Sequence, residues 1–353
     1  MRKARLVALS LWGCLGAGSV AGAAEAPVRV GFCARTITSA AAPFAIATKM
    51  GWYRSAGIAV ELVPIAGSTD CVKLVATGDL PYSLPSIESL PVVRAQGVKA
   101  KVFYTAYQGN IYGIAVPRES AVRSVKDLRG KSIGVASMGS GGVQVARSVL
   151  AQNGMDPEKD ARLVVVGEAA QAAALLRKGE VAALALYDTQ FALVENAGQP
   201  LRQLDVGAVA HYPSNGFVAL EQTLQDKRAQ SIALARGYAM GTVFAIANPE
   251  AAVKIVWEVF PFTKPTGKGE ADALRDDVKT LLARAQNWRL EAGGVKRWGE
   301  SNVKEFDAYE DFLVKWNVLK QKVPATDLVT NALIDEINQF DAARIAAEAK
   351  AFK

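Results

Sequence analysis

From residue 26 onward, short apolar runs alternate with amphipathic stretches. Residues 26–32, Ala-Pro-Val-Arg-Val-Gly-Phe, alternate apolar and polar positions as a half-buried strand does. Residues 43–50 have helical spacing and stop at Gly51. A strand over 60–65, a helix over 69–76 ended by Gly78, and a short strand over 80–84 follow. The pattern goes on with a helix over 87–94 closed by Gly97, then strands over 100–106 and 112–116. The scheme repeats as a strand over 132–136, a helix over 143–152, a strand over 163–166 and a helix over 169–177. A strand over 181–187 and a helix over 189–196 complete that second run, and 216–220 has the pattern of a strand returning to the first sheet. Beyond it the chain is helical over 222–247, 249–260, 272–286, 303–318 and 325–350. Such alternation predicts an α/β protein of two lobes, each a mostly parallel sheet flanked by helices, with a helical C-terminal tail. Residues 25–117 and 217–353 would form lobe I with the tail, and 118–216 lobe II.

The first residues change this picture only at the edge. Met1-Arg-Lys-Ala-Arg is basic, residues 6–20 are apolar and small, and Ala21-Gly-Ala-Ala offers cleavage sites after Ala23 or Ala24. Residues 1–24 are therefore expected to be a secretory signal peptide. Leu11-Trp-Gly-Cys14 faintly resembles a lipoprotein box, but its apolar run is short and Trp is unusual there, so lipid anchoring is the lesser reading. No later segment has an uninterrupted apolar run long enough to span a bilayer. The formal charge of +7 falls to +4 once Arg2, Lys3 and Arg5 leave with the signal. The remaining Lys and Arg are scattered among acids, which argues against a nucleic-acid partner. Roughly 330 remaining residues suit two domains. One histidine and no metal-ligand spacing argue against a metal site, and no cofactor motif is present. No Gly-x-Ser-x-Gly elbow or Ser/His/Asp set supports a hydrolase.

Four segments, in order, carry a resemblance. They are Lys49-Met-Gly-Trp-Tyr-Arg-Ser-Ala-Gly-Ile-Ala-Val60, Leu74-Val-Ala-Thr-Gly-Asp-Leu80, Ser124-Val-Lys-Asp-Leu-Arg-Gly-Lys-Ser-Ile-Gly-Val135 and Leu176-Arg-Lys-Gly-Glu-Val-Ala-Ala183. Together they resemble the SsuA/THI5-like (NMT1-like) group of periplasmic solute-binding proteins. In the second segment Leu80-Pro81 replaces the group's usual small-acidic continuation. The resemblance implies a type II periplasmic binding fold, its lobes joined by a hinge. A solute would be captured in the cleft and delivered to the permease subunits of an ABC importer. It also implies a periplasmic location, and a monomer is expected.

Loops after the strands are where such a fold binds. Ser137-Met-Gly139-Ser140-Gly141-Gly follows a strand and opens a helix, so its backbone N–H groups and the helix dipole could cradle a polar group. It lacks the Lys of a phosphate loop and the third glycine of a dinucleotide loop; an ordinary capped glycine turn is the plain alternative. In lobe I the matching loop offers Ser68, Thr69 and Asp70, which could equally be helix caps. Arg35, in the loop after the first strand with Cys33 and Thr36, is the candidate counter-ion, against the default of a solvated surface arginine. Ser86, Tyr107, Tyr187 and Asp188 end later strands, and Asn215 lies at the second crossing between lobes. His211, between Ala210 and Tyr212-Pro213, suits a loop better than a base.

Cys33 and Cys71 are the two cysteines left in an exported chain. If their strands are neighbours, as is usual in such sheets, a disulfide can form at the cleft mouth; two separate buried thiols are the alternative. The expected ligand is a small organic anion, a sulfonate or aromatic carboxylate, with Phe32, Tyr107 and Tyr187 as aromatic walls. Asp70 and Asp188 keep an amine-bearing ligand such as taurine or an aminopyrimidine open. A pyrimidine or thiamine precursor, or nitrate, is the alternative on the same fold. An enzyme related to pyrimidine synthases is a distant third, since their histidine- and cysteine-rich motifs are missing.

Overall fold

The computed structural model describes residues 26–352; the expected signal peptide and Cys14 lie outside them. Two five-stranded sheets form the two lobes. The strands are β1 (Val28–Phe32), β2 (Val60–Pro64), β3 (Tyr82–Ser83), β4 (Ala100–Thr105), β5 (Tyr112–Pro117), β6 (Ser132–Val135), β7 (Arg162–Val165), β8 (Ala183–Tyr187), β9 (Leu201–Gln203) and β10 (Gly216–Leu220). The first sheet has the order β2-β1-β3-β10-β4 and the second β7-β6-β8-β5-β9. The pairings of β1 with β2 and β3, and of β6 with β7 and β8, are parallel. All the others are antiparallel and are made by β5 and β10. Those are the strands on which the chain arrives from the other lobe, and each is the single strand that runs against the rest of its sheet, so the mixed sheets are mostly parallel as expected.

The expectation that residues up to 117 stay in lobe I is corrected here. Tyr112–Pro117 pairs with β8 and β9 in the second sheet. The chain leaves the first sheet at Thr105, and an alternating run cannot tell which sheet it will join. Two long helical expectations also break. The run over 222–247 divides into Glu221–Asp226 and Arg228–Ala247. The run over 325–350 divides into Ala325–Leu328, Ile334–Ile337 and Ala342–Ala351. Asp341 caps the last of these by accepting from the Arg344 N–H at 2.9 Å, a signal that its apolar spacing conceals. Among the described residues, no helix is long and apolar enough to cross a membrane.

The core of the first lobe fixes one helix that matters for the cleft. Ala42–Lys49 packs on Arg228–Ala247. The approach is close because Gly237 and Gly241 face it: a Cβ on Gly241 would lie 2.1 Å from the Pro43 carbonyl oxygen, and one on Gly237 2.2 Å from the Tyr53 ring. Phe44 wedges between Phe217 and Tyr238 edge-on, at 5.8 and 4.8 Å between ring centroids. Held this way, the helix and the 3-10 turn before it (Ser39–Ala41) point their N-terminal end at the interlobe cleft.

Because β1 and β2 are neighbours, Cys33 and Cys71 meet and form a disulfide, with Cα atoms 5.9 Å apart. It ties the loop after β1 to the helix Ser68–Ala76 after β2. Thiol labelling without reductant should find neither Cys33 nor Cys71 free. The Cys33→Ser/Cys71→Ser double variant should lose roughly 2–4 kcal/mol of unfolding free energy in urea, given the length of loop it closes.

Candidate functional site

The two crossings between lobes run side by side. Asn215 presents its carbonyl to the N–H groups of Ala106 and Tyr107, both at 2.9 Å, and Ser214 N–H returns a bond to the Tyr107 carbonyl at 3.0 Å. The Asn287 carbonyl, at the end of helix Glu270–Trp288, accepts from Gln108 N–H at 2.7 Å. A cavity of about 30 Å³ opens beside this hinge, between the lobes. On that scale one water needs roughly 10–15 Å³, so the space is small. Phe32, Tyr107, Tyr112 and Tyr187 supply aromatic walls, and Thr36, Thr38, Thr189 and Asn215 supply polar atoms. Thr38 caps the turn Ser39–Ala41 by accepting from the Ala40 N–H at 3.3 Å, and the positive end of the turn and following helix lies there.

The charge in this cavity is Arg284, from the buried face of Glu270–Trp288. Its side chain is 4% exposed. Asp188, the first residue of helix Asp188–Asn196, receives Nε at 2.8 and 3.0 Å and Nη2 at 2.6 Å. Asn287 adds a bond to the same carboxylate at 2.9 Å. The guanidinium lies over the Tyr107 ring, 4.1 Å from its centroid. Burial opposes the charge of Arg284, but the Asp188 carboxylate and the Tyr107 phenol beside it raise its pKa above the ordinary arginine value. Arg284 is therefore always a cation. Arg284 is one of the residues that line the cavity.

The expected residues divide into three groups. Cys33, Thr36, Tyr107, Tyr187 and Asn215 line the cavity. Ser137, Gly139 and Thr69 instead join the lobes: Thr69 N–H donates to the Gly139 carbonyl at 3.1 Å, and the Ser137 hydroxyl donates to the Ala66 carbonyl. A Cβ on Gly67 would stand 2.6 Å from the Gly139 backbone, so this contact needs glycine. The Ser/Gly loop thus presses on the facing lobe rather than lining the cavity. Ser140 caps its helix by accepting from Gly142 N–H at 3.2 Å, and Gly141 packs on Ser86 and Tyr112. Ser86 is fully buried, and its N–H donates to the Ser68 hydroxyl oxygen at 2.9 Å.

The third group lies off the cavity wall. Asp70 is exposed beside Lys73, and it caps nothing. Arg35 is exposed on the rim; its backbone N–H, not its guanidinium, bonds Glu168 at 3.2 Å. Asp188 serves Arg284, which removes it as a partner for an amine. His211 is exposed at the end of a 3-10 turn. Arg284, Tyr112, Thr38 and Thr189 were missed. For Arg284 a signal existed: with Ala273, Asp277, Thr280, Leu281 and Trp288 it lies on the helix's buried stripe, where a charge calls for a partner.

Behind Tyr112 lies a buried acidic pair. Glu88 accepts from the Tyr309 hydroxyl at 2.5 Å, and burial raises its pKa although that bond lowers it. Glu310 is pushed up to about 8, chiefly by burial.

Among solved structures, the alkanesulfonate-binding protein SsuA from Xanthomonas axonopodis pv. citri, bound to MOPS, is 18% identical with a TM-score of 0.64, over 87% of this chain and 99% of that one. The periplasmic aliphatic sulphonate binding protein SsuA from Escherichia coli is 14% identical with a TM-score of 0.63, over 86% and 92%. The periplasmic nitrate-binding protein NrtA from Synechocystis PCC 6803 is 15% identical with a TM-score of 0.61, over 93% and 98%. The chain has the two-lobe type II periplasmic binding fold that these share. A comparison with curated proteins gives no match. The NMT1/THI5-like family model matches residues 38–252, well over half of the chain.

Removing Asp188 strands a buried cation, so Asp188→Ala should cost about 3–5 kcal/mol in urea unfolding. The Asp188→Ala/Arg284→Met double variant should recover most of it. Glu310 binds its proton more tightly in the native state, so its contribution to stability falls as pH rises from about 4.5 to about 8. Glu310→Gln should therefore gain at least about 1 kcal/mol on the parent at pH 8 and little near pH 4, by urea midpoints at each pH.

Proposed function

The chain belongs to the NMT1/THI5-like family, and we propose that it is an exported solute-binding protein that holds a small organic solute with an anionic group in the interlobe cleft. The solute is released unchanged to the permease subunits of an ABC importer, and the protein works as a periplasmic monomer. One observation carries the reading: Arg284, buried and permanently charged, lies in the wall of a cavity between the two lobes. The N-terminal, positive end of the turn Ser39–Ala41 and helix Ala42–Lys49 lies on another wall, and both suit a sulfonate or carboxylate head. The aromatic side chains favour a body with apolar surface. The family match and the sulfonate- and nitrate-binding proteins of the same fold support a binding role.

A thermal-shift screen of residues 25–353 against sulfonates, aromatic carboxylates, pyrimidines and inorganic anions tests the reading. A true ligand at a hundred times its Kd should add roughly 2.7 kcal/mol and be recovered chemically unchanged. Arg284→Ala should then weaken that ligand by more than about tenfold, and Arg35→Ala by less than about threefold, by calorimetric titration. Binding confined to uncharged pyrimidines, or indifferent to Arg284→Ala, would count against an anionic solute.

A further inference from the structure

Glu88 is a buried carboxylate that lies where the two lobes meet. It stands in the 3-10 turn Ile87–Ser89 of the first lobe and is 2% exposed. One of its oxygens accepts from the Tyr309 hydroxyl, while Oε2 has no hydrogen-bond partner among the described residues. Two parts of the second lobe come up against this turn. Helix Gly141–Gln152 packs on it. A Cβ on Gly141 would stand 2.3 Å from the Ser86 hydroxyl oxygen and 2.7 Å from that of Tyr112, so this approach needs glycine. Tyr112, on β5, is buried, and its phenol is raised in pKa first by burial and then by the charge of Glu88. Its ring also lines the cavity. Glu88 thus touches the cavity wall through Tyr112.

Among the described residues, no cation pairs with Glu88. Helix Ser68–Ala76 brings Asp70 and Lys73, exposed and paired with each other. Leu90–Arg94 brings Arg94, bonded to Glu221, and Gly141–Gln152 brings Arg147, paired with Glu158. Helix Val303–Lys315 brings Tyr309 and Glu310, and its Asp307 and Asp311 are held by Lys322. Its Lys304 and Lys315 are exposed, and Glu305 is half-buried. The crossing at Ser214, whose carbonyl accepts from the Ile87 N–H, adds the exposed His211 and Tyr212, which stacks on Tyr309 at 4.6 Å. Burial therefore raises the pKa of Glu88, and the bonds from Tyr309 and its own N–H, with the nearby Ser86, offset only part of it. Such a place favours the neutral acid. Tyr112 and Gly141 belong to the second lobe, so opening the cleft draws them away and lets water reach the carboxyl group. Exposed to water, it ionises as an ordinary glutamate does.

We propose that Glu88 is a positioning residue for Tyr112 and couples closure of the cleft to one proton: the lobes close on neutral Glu88 and part more readily once it ionises. This goes beyond the solute-binding reading, because it concerns closure and holds whichever solute the cavity takes. The sign follows from linkage. A carboxyl group with a higher pKa in the closed state favours closure at low pH, and that advantage is lost as pH rises toward the closed-state value. The closed-to-open ratio should fall as pH climbs above the ordinary glutamate value of 4.5, by at most about tenfold per pH unit for a single proton.

Spin labels at Asp79→Cys in the first lobe and Lys178→Cys in the second, both exposed positions, report the interlobe distance by pulsed dipolar spectroscopy. The protein is residues 25–353, freed of retained solute by dialysis from urea, with none added. The long-distance fraction should grow from about pH 5 to about pH 8.5. Glu88→Gln should stay closed across that range and cut the slope to less than about a third. Glu310→Gln, at a site bonded to Val323 in the tail, should keep the slope. Tyr309→Phe removes the bond that favours the carboxylate, so it should move the midpoint to higher pH, and it serves if Glu88→Gln does not fold. Distances in the parent protein that do not change with pH overturn the proposal, as does a slope that Glu88→Gln leaves intact or that Glu310→Gln abolishes. Because no solute is present, none of these outcomes depends on whether the cavity takes an anion.

Discussion

The ion pair between Asp188 and Arg284 is the constraint on which the interlobe region depends. A guanidinium that is 4% exposed is tolerable only because a carboxylate takes two sides of it. Satisfying that demand fixes three things together. It clamps helix Glu270–Trp288 to the first turn of Asp188–Asn196 in the second lobe. Through Asn287, the same helix end holds the first crossing at Gln108. The pair also holds Arg284 in the cavity wall, with its guanidinium over Tyr107. The crossing, the clamp and the cavity wall are thus one buried electrostatic unit.

Around that unit, closure is made by loops that follow strands. The loop after β1 meets the loop after β7 through Glu168, and the loop after β2 meets the loop after β6 through Thr69, Ser137 and Gly139. On the first lobe both of these loops are tied together by Cys33–Cys71. The disulfide therefore limits how far the two contact regions of that lobe can move apart, and pre-organises the surface that the second lobe meets.

The aromatic and hydroxyl groups have different tasks from those their chain positions alone imply. Tyr107 and Tyr187 end strands and line the cavity, as their places after β4 and β8 suggest. Ser86 and Ser68, equally well placed in the chain, are buried off the cavity wall, and the Ser86 N–H donates to the Ser68 hydroxyl. The glycines of 139–142 permit close packing against Ser86, Tyr112 and the facing lobe, and the loop's dipole serves the contact between lobes. Arg35 shows the same limit: being next to a cleft in sequence does not aim a flexible side chain into it.

Local pattern determined the strands, most helices, the two-lobe α/β class and the family resemblance, because strand and helix periods are written in neighbouring residues. The cysteine pair was legible for a similar reason: parallel neighbours β1 and β2 place the loops after them side by side. Tertiary structure alone decided that Tyr112–Pro117 joins the second sheet, since an alternating apolar run fits either. It alone brought Arg284 to the cavity, from a tail helix far along the chain, and set it against Asp188. Its place on a buried stripe hinted at a partner, but not at which carboxylate or which cavity. Glu168 carried no such hint, because a polar residue in a glycine-flanked turn looks the same whether it meets solvent or the opposite lobe. Helical and strand periods are short-range properties of the chain, whereas the charge balance of a cleft is a sum over segments that only folding brings within a few ångströms.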